Sequence, residues 1–188
     1  MVRDPAGHPD LSGDGVTVAA GDVTQPASVA SIAAGHDAAV NAAGRMDVPA
    51  EEFYLAATHA LLGELPGAGV ERLVAVGIGT TLEVAPGVRV LDTPDFPADA
   101  KAFSLGHAAE LDALRAAETD LDWLVIAPPP TLLDAEAPRT GKYRVGGEQV
   151  LPAEADTPPF PYADLAVAVI DEIETPKHHR TMIAVAGG

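Results

Sequence analysis

The chain contains no cysteine among its 188 residues, which excludes a disulfide framework, thiol chemistry and a thiolate metal site. Basic residues are few, with 11 Lys and Arg against 28 Asp and Glu for a formal net charge of -17. A surface of that sign repels phosphate backbones and anionic headgroups, so no nucleic acid and no membrane partner is expected. No apolar run approaches the ~20 residues of a membrane span, and no basic start leads into an apolar stretch as in a signal peptide. The expected location is cytoplasmic. Familiar catalytic signatures are missing too: there is no Gly-x-Ser-x-Gly, no Gly-x-x-x-x-Gly-Lys-Ser/Thr and no His-Glu-x-x-His. The adjacent His178 and His179 point apart in regular structure, so no metal site is expected.

What is present suits one α/β domain over residues 1–188, with 47% hydrophobic residues to form its core. Short apolar runs alternate with helix-like segments, the pattern of βα units and a mostly parallel sheet. The expected strands are Val16 to Ala20, Ala38 to Ala42, Leu73 to Val76, Trp123 to Ala127 and Met182 to Val185, with a short accessory strand at Lys142 to Val145. Ala38 to Ala42 lacks polar alternation and reads as buried on both faces. Helices are expected from near Pro26, over Glu51 to Leu65, Ala98 to Glu118 and Tyr162 to Ile173. In the second of these, Phe53, Ala57, Ala60, Leu61 and Leu65 recur near a period of 3.6. Gly77 to Pro97 reads as a long loop, too rich in Gly and Pro for regular structure. Acidic pairs such as Glu51-Glu52 and Asp171-Glu172 read as solvated faces in so acidic a chain.

Three segments, taken in order, resemble the atypical short-chain dehydrogenase/reductase group, the NAD(P)-binding relatives of NmrA and of biliverdin/flavin reductases. They are Val2-Arg3-Asp4-Pro5-Ala6, then Gly21-Asp22-Val23-Thr24 with His36 to Gly44, and Thr140-Gly141-Lys142-Tyr143-Arg144. The resemblance implies a Rossmann-like parallel sheet with flanking helices and NADP or NAD as cofactor. It implies that Arg3 meets the adenosine ribose or its 2′-phosphate and that Asp22 and Val23 flank adenine, Asp22 accepting from the exocyclic amine. It places Asn41, Ala42, Ala43 and Gly44 in a turn beneath the cofactor. The same residues also suit plainer roles: a surface arginine, a turn aspartate, and small residues for tight packing.

The departure lies at the start. In the group, a strand, a Gly-x-x-Gly-x-x-Gly turn, a helix and a second strand precede the Arg-Asp-Pro segment, roughly thirty residues or one βαβ unit. The sheet is therefore expected to be N-terminally truncated. Amides of that turn hold the pyrophosphate, so the alternative of no cofactor at all stays open. Gly77-Ile78-Gly79-Thr80-Thr81-Leu82 does not replace the turn, because Leu82 stands in the third glycine's place. Two outcomes are expected for the sheet: either Val16 to Ala20 closes up beside Ala38 to Ala42, or a homodimer covers the exposed edge.

The catalytic candidates are Thr80 and Thr81, where the group often places a substrate-facing hydroxyl, and Lys101 and His107 on the long helix. The usual Tyr with a Lys four residues on is absent, since Tyr54, Tyr143 and Tyr162 are followed by Thr58, Gly147 and Ala166. A substrate pocket is expected between Gly77 to Thr81, Pro128 to Leu132 and Thr140 to Val145. Three functions fit: an oxidoreductase acting on a small organic substrate, an NmrA-like sensor without catalysis, and a cofactor-independent isomerase, cyclase or hydrolase built on Lys101, His107 and Asp22.

Overall fold

The computed structural model describes residues 1–11, 13–131, 133–153 and 158–188. Strands β1 (Ala38–Asn41), β2 (Arg72–Val76), β5 (Asp122–Ala127), β6 (Tyr143–Gly146) and β7 (Thr181–Gly187) form one sheet in the order β1-β2-β5-β7-β6. The first four in that order are parallel and β6 closes the far edge antiparallel to β7. Helices are α1 (Pro26–Ala33), α2 (Ala50–Glu64), α3 (Ala98–Ala116) and α4 (Tyr162–Glu174).

The unbroken apolar runs of β2 and β5 follow from burial on both faces; β1, expected to be buried likewise, lies at the sheet edge with Val40 exposed. Leu73, Ala75, Trp123 and Val125 pack with Phe53, Leu61 and Leu114 of α2 and α3. Their strand neighbours Val74, Leu124 and Ile126 face Leu165, Ala168 and Val169 of α4. This period-2 division places α1 to α3 on one side of the sheet and α4 on the other. Pro26 takes the first turn of α1, where its missing N–H costs nothing.

Two further expectations are corrected. Val16 to Ala20 is no strand: Ala20 forms an isolated parallel bridge with Val2, through Val2 N–H to the Ala19 carbonyl and Gly21 N–H to the Val2 carbonyl, both 3.0 Å. It does not close up on β1, which among the described residues pairs with β2 alone. The apolar run finds no partner strand, and extended backbone becomes a strand only by pairing. Within Gly77 to Pro97 there is regular structure after all, a hairpin of β3 (Glu83–Ala85) and β4 (Val88–Arg89). Its turn holds Pro86 and Gly87, the latter at φ 74°, a combination that suits a type II turn.

Candidate functional site

A cleft of about 720 Å³ separates the Val2–Ala20 bridge from β1. One wall carries Arg3, Asp22 and Val23, and the other carries β1 and the turn from Asn41 to Arg45. Its floor is apolar, with Val29 of α1 and Phe53 and Leu61 of α2. The turn follows the carboxyl end of β1, the end at which open α/β sheets bind ligands. Arg3, Asp22, Val23, Asn41, Ala42, Ala43 and Gly44, far apart in sequence, all line this one cleft.

The charges in the cleft differ from those of the chain as a whole. Arg3 makes no ion pair among the described residues, while Arg45 forms a two-pronged contact with Asp47, at 2.8 and 2.5 Å. The Arg45 guanidinium holds the Asp47 carboxyl down to about 2. One Asp22 oxygen accepts from both the N–H and the hydroxyl of Thr24, at 2.9 and 2.7 Å, and these bonds hold its carboxyl below the usual range. That is the turn-aspartate role; the second oxygen accepts no bond among the described residues.

The cleft's volume lies within the ~300–1,000 Å³ of cofactor and ligand sites. Its lining suits the adenosine end of a nicotinamide dinucleotide: an arginine to donate to phosphate, an ionised aspartate to accept from an amine, and small residues at Ala42 to Gly44. No Gly-x-x-Gly-x-x-Gly turn occurs in the chain to hold the pyrophosphate. Of the arginines lining the cleft, Arg45 is engaged by Asp47, whereas Arg3 makes no ion pair among the described residues.

The four catalytic candidates stand outside the cleft lining. Thr80 is half-buried and donates to the Ser104 hydroxyl of α3 at 2.9 Å. Thr81 is buried, its hydroxyl donating to the Ile78 carbonyl at 2.7 Å beside the Met182 sulfur. Lys101 donates to the Leu91 carbonyl, 3.8 Å from Asp92 and 5.7 Å over the Phe96 ring. His107 is buried against Tyr54, ring centroids 3.9 Å apart, with Nδ1 3.1 Å from Glu110 Oε2. Of the residues named for a cofactor-independent activity, Asp22 lines the cleft, whereas Lys101 and His107 do not.

Helix α3 thus fastens several segments at the carboxyl ends of the strands: Ser104 holds the turn after β2, Lys101 the segment after β4, and Glu110 the side chain of Asn41. Of the segments expected to bound a substrate pocket, Gly79 packs directly on the backbone of Pro128 to Pro130; Leu132 lies outside the described residues. Thr140 and Gly141 are tied to buried Asp164 of α4, whose carboxylate accepts both N–H groups and the Thr140 hydroxyl at 2.6 to 2.9 Å. Burial pushes that carboxyl up, but the three bonds outweigh it and hold it below the usual range.

Neither the buried Tyr54 phenol nor the half-buried Tyr143 phenol is activated. Burial raises Tyr54, with the Glu110 charge adding to it. Burial and donation to Asp171 at 2.6 Å push Tyr143 up to about 12. This is the reverse of what a neighbouring lysine does to a catalytic tyrosine. Sequence reasoning missed Glu110, Ser104 and Arg45. The spacing of His107, Glu110, Leu111 and Leu114 could have revealed the first, because it puts the carboxylate on the buried stripe of α3.

The sheet order, the helices on both faces and the cleft beside the carboxyl ends define a Rossmann-like α/β protein. The chain belongs to the NAD(P)H-binding family, whose model matches residues 1–176. It is 32% identical over 152 residues to the uncharacterised protein YwnB of Bacillus subtilis, covering 79% of this chain and 70% of that one. Among solved structures, a Burkholderia pseudomallei protein described as exported is 36% identical, with a TM-score of 0.79 over 91% of this chain and 81% of that chain. A Streptococcus pneumoniae protein described as an NADH-flavin reductase is 25% identical, with a TM-score of 0.73 over 95% and 85%. Among the described residues, no helix is long and apolar enough to cross a membrane.

Proposed function

We propose that this protein is an NAD(P)H-dependent reductase of a small organic substrate, working in the cytoplasm where reduced nicotinamide is available. The observation that carries the reading is the convergence of Arg3, Asp22, Val23 and Asn41 to Gly44 on one cleft, with two arginines in it despite a net charge of -17. Arg3 meets the adenosine ribose or its 2′-phosphate, Asp22 accepts from the adenine amine, and the Ala42–Gly44 backbone lies beneath the ligand. When bound, the reduced nicotinamide supplies a hydride. Thr80, steadied by Ser104, is the hydroxyl placed beside the substrate.

The test is a titration of the purified protein with NADPH and NADH, followed by cofactor fluorescence. Micromolar binding is expected. Arg3→Glu should raise the Kd for NADPH by about tenfold or more, as loss of a charged hydrogen bond worth ~1.5–3 kcal/mol requires, with a smaller change for NADH. Failure of the folded protein to bind either nucleotide overturns the reading.

A second reading, an NmrA-like sensor that binds nucleotide without reducing anything, is favoured by the two phenols held protonated. Oxidation of NADPH with flavin or quinone acceptors would eliminate it. We also propose that a second copy of the chain covers the open edge of β1, where Val40 is 47% exposed in mid-strand. Light scattering should give a dimer mass, and a monomer at every concentration would exclude that cover.

A further inference from the structure

We infer that Glu110 is a positioning residue for the turn that lines the cleft, acting through the side chain of Asn41; this rests on the reading of the cleft as a dinucleotide site. Glu110 is 3% exposed in the middle of α3, a costly place for a carboxylate unless its bonds compensate. Its two oxygens serve different partners. Oε1 accepts from Asn41 Nδ2 at 3.3 Å, and Oε2 lies 3.1 Å from His107 Nδ1. A carboxylate only accepts, so it dictates which way the Asn41 amide faces, with NH₂ toward α3 and carbonyl oxygen away. That carbonyl oxygen accepts the N–H of Ala43 at 3.3 Å. The orientation imposed from α3 therefore fixes the first peptide of the turn that runs through Ala43 and Gly44.

The rest of the cluster holds the carboxylate still. His107 lies on Tyr54 and meets Phe103 edge-on, ring centroids 5.1 Å apart. The Tyr54 hydroxyl sits under Gly44, within 3.4 Å of where a Cβ would stand. Helices α2 and α3 come close enough for this because position 106 is glycine, where a Cβ would lie 2.8 Å from the Ala50 backbone. Glu110, His107 and Tyr54 are absent from the cleft lining, so removing the Glu110 carboxylate changes the turn without deleting a ligand contact. Asn41 is in the lining, and each polar atom of its amide makes one bond within the protein, to Glu110 and to the Ala43 N–H.

The experiment compares Glu110→Met, which keeps most of the volume and abolishes the bonds, with Glu110→Gln, which still accepts from Asn41 and can donate to His107. Hydrogen exchange of the amides of residues 42–45 is measured relative to those of β5, alongside NADPH titration. Glu110→Met is expected to speed exchange in the turn about tenfold relative to β5 and to raise the NADPH Kd about tenfold, the size of losing one charged hydrogen bond. Glu110→Gln is expected to restore both to near the wild-type values. Unchanged relative exchange in Glu110→Met, or a Glu110→Gln variant as impaired as Glu110→Met, overturns the proposal. If Glu110→Met does not fold, Asn41→Ala cuts the same chain at its next link and is read by exchange alone, because Asn41 lines the cleft; unchanged relative exchange of residues 42–45 overturns the proposal. Because exchange needs no ligand, the turn can respond as expected in a protein that binds no dinucleotide. That result would overturn the functional reading and leave the positioning role standing.

Discussion

Replacing Arg72 with methionine is expected to lower stability by about 3–5 kcal/mol at neutral pH, the usual cost of removing one partner from a buried charged network. Arg72 is 6% exposed at the amino end of β2. Its guanidinium donates to Asp122 of β5 at 2.6 Å, to the His178 carbonyl at 3.0 Å, and to both the carbonyl and the carboxylate of Glu172 at 3.3 and 3.2 Å. Glu172 in turn accepts from the N–H groups of Lys177 and His178 at 3.1 and 3.2 Å and faces His178 Nδ1 at 2.7 Å. His179 Nδ1 lies 2.8 Å from Asp122. One side chain thereby joins the starts of two parallel strands to the end of α4 and to the turn leading into β7. Methionine fills the space but leaves the Glu172 charge buried without its guanidinium.

The pH dependence of that loss separates a charge effect from a packing effect. Burial pushes the Glu172 carboxyl up, yet the bonds from His178 and from the Lys177 and His178 amides outweigh it and hold it below 4.5. A carboxyl whose folded pKa is depressed contributes stability that is complete above its unfolded value and is lost as pH falls through the folded one. Arg72→Met leaves the Glu172 carboxylate without its guanidinium, and protonation in acid relieves that charge, so urea unfolding of wild type and Arg72→Met should give a gap that is full at pH 7 and narrows below about pH 4. A gap equally wide in acid would assign the cost to packing. Arg72 stands at the amino ends of the strands, opposite the end that carries the cleft turn. The NADPH affinity of the folded variant is accordingly expected to match wild type.

The parts of this molecule legible in its sequence are those that follow from local pattern. Leu73 to Val76 and Trp123 to Ala127 could be placed because helices cover both faces of these strands, which makes apolar residues favourable at every position. The cleft residues are a different case: the resemblance to the dehydrogenase/reductase group, not local pattern, assigned Arg3, Asp22, Val23 and Asn41 to Gly44 to one ligand, since each residue type alone also suits a plainer role. Val16 to Ala20 failed because pairing, not extended apolar sequence, makes a strand. The hairpin at Glu83 to Arg89 was hidden by the same Pro86 and Gly87 that build its turn. Thr81, Lys101 and His107 have side chains suited to chemistry, but tertiary contacts occupy them: the Ile78 carbonyl, the Leu91 carbonyl and the Glu110 carboxylate. Glu110 escaped notice because, in a chain with 28 acidic residues, one more carboxylate on a helix resembles solvated surface until its position on the apolar stripe is counted.

Gly79→Ala is expected to destabilise at the upper end of the ~1–3 kcal/mol range for overpacking, or beyond it. An added Cβ would come within 2.5 Å of the Pro128 carbonyl oxygen and the Pro129 carbonyl carbon and would also strike the Pro130 nitrogen. All three are backbone atoms of consecutive prolines, and fixed proline φ angles leave that turn little freedom to yield. For a domain this size the shift in Tm should reach roughly 6–12 °C, at ~2–4 °C per kcal/mol. The same substitution at Gly63, an exposed position in α2 with nothing within 4 Å of an added Cβ, should raise stability by up to ~1 kcal/mol through helix propensity. Opposite signs for one chemical change would assign the Gly79 effect to the contact between turns. The strain falls beside Thr80, whose bond to Ser104 depends on where the turn rests. In any variant that folds, turnover with an acceptor substrate should therefore fall more than the affinity for NADPH, because the displaced turn carries the proposed substrate-facing hydroxyl and contributes nothing to the cleft lining. Equal losses in both would place Thr80 away from the substrate.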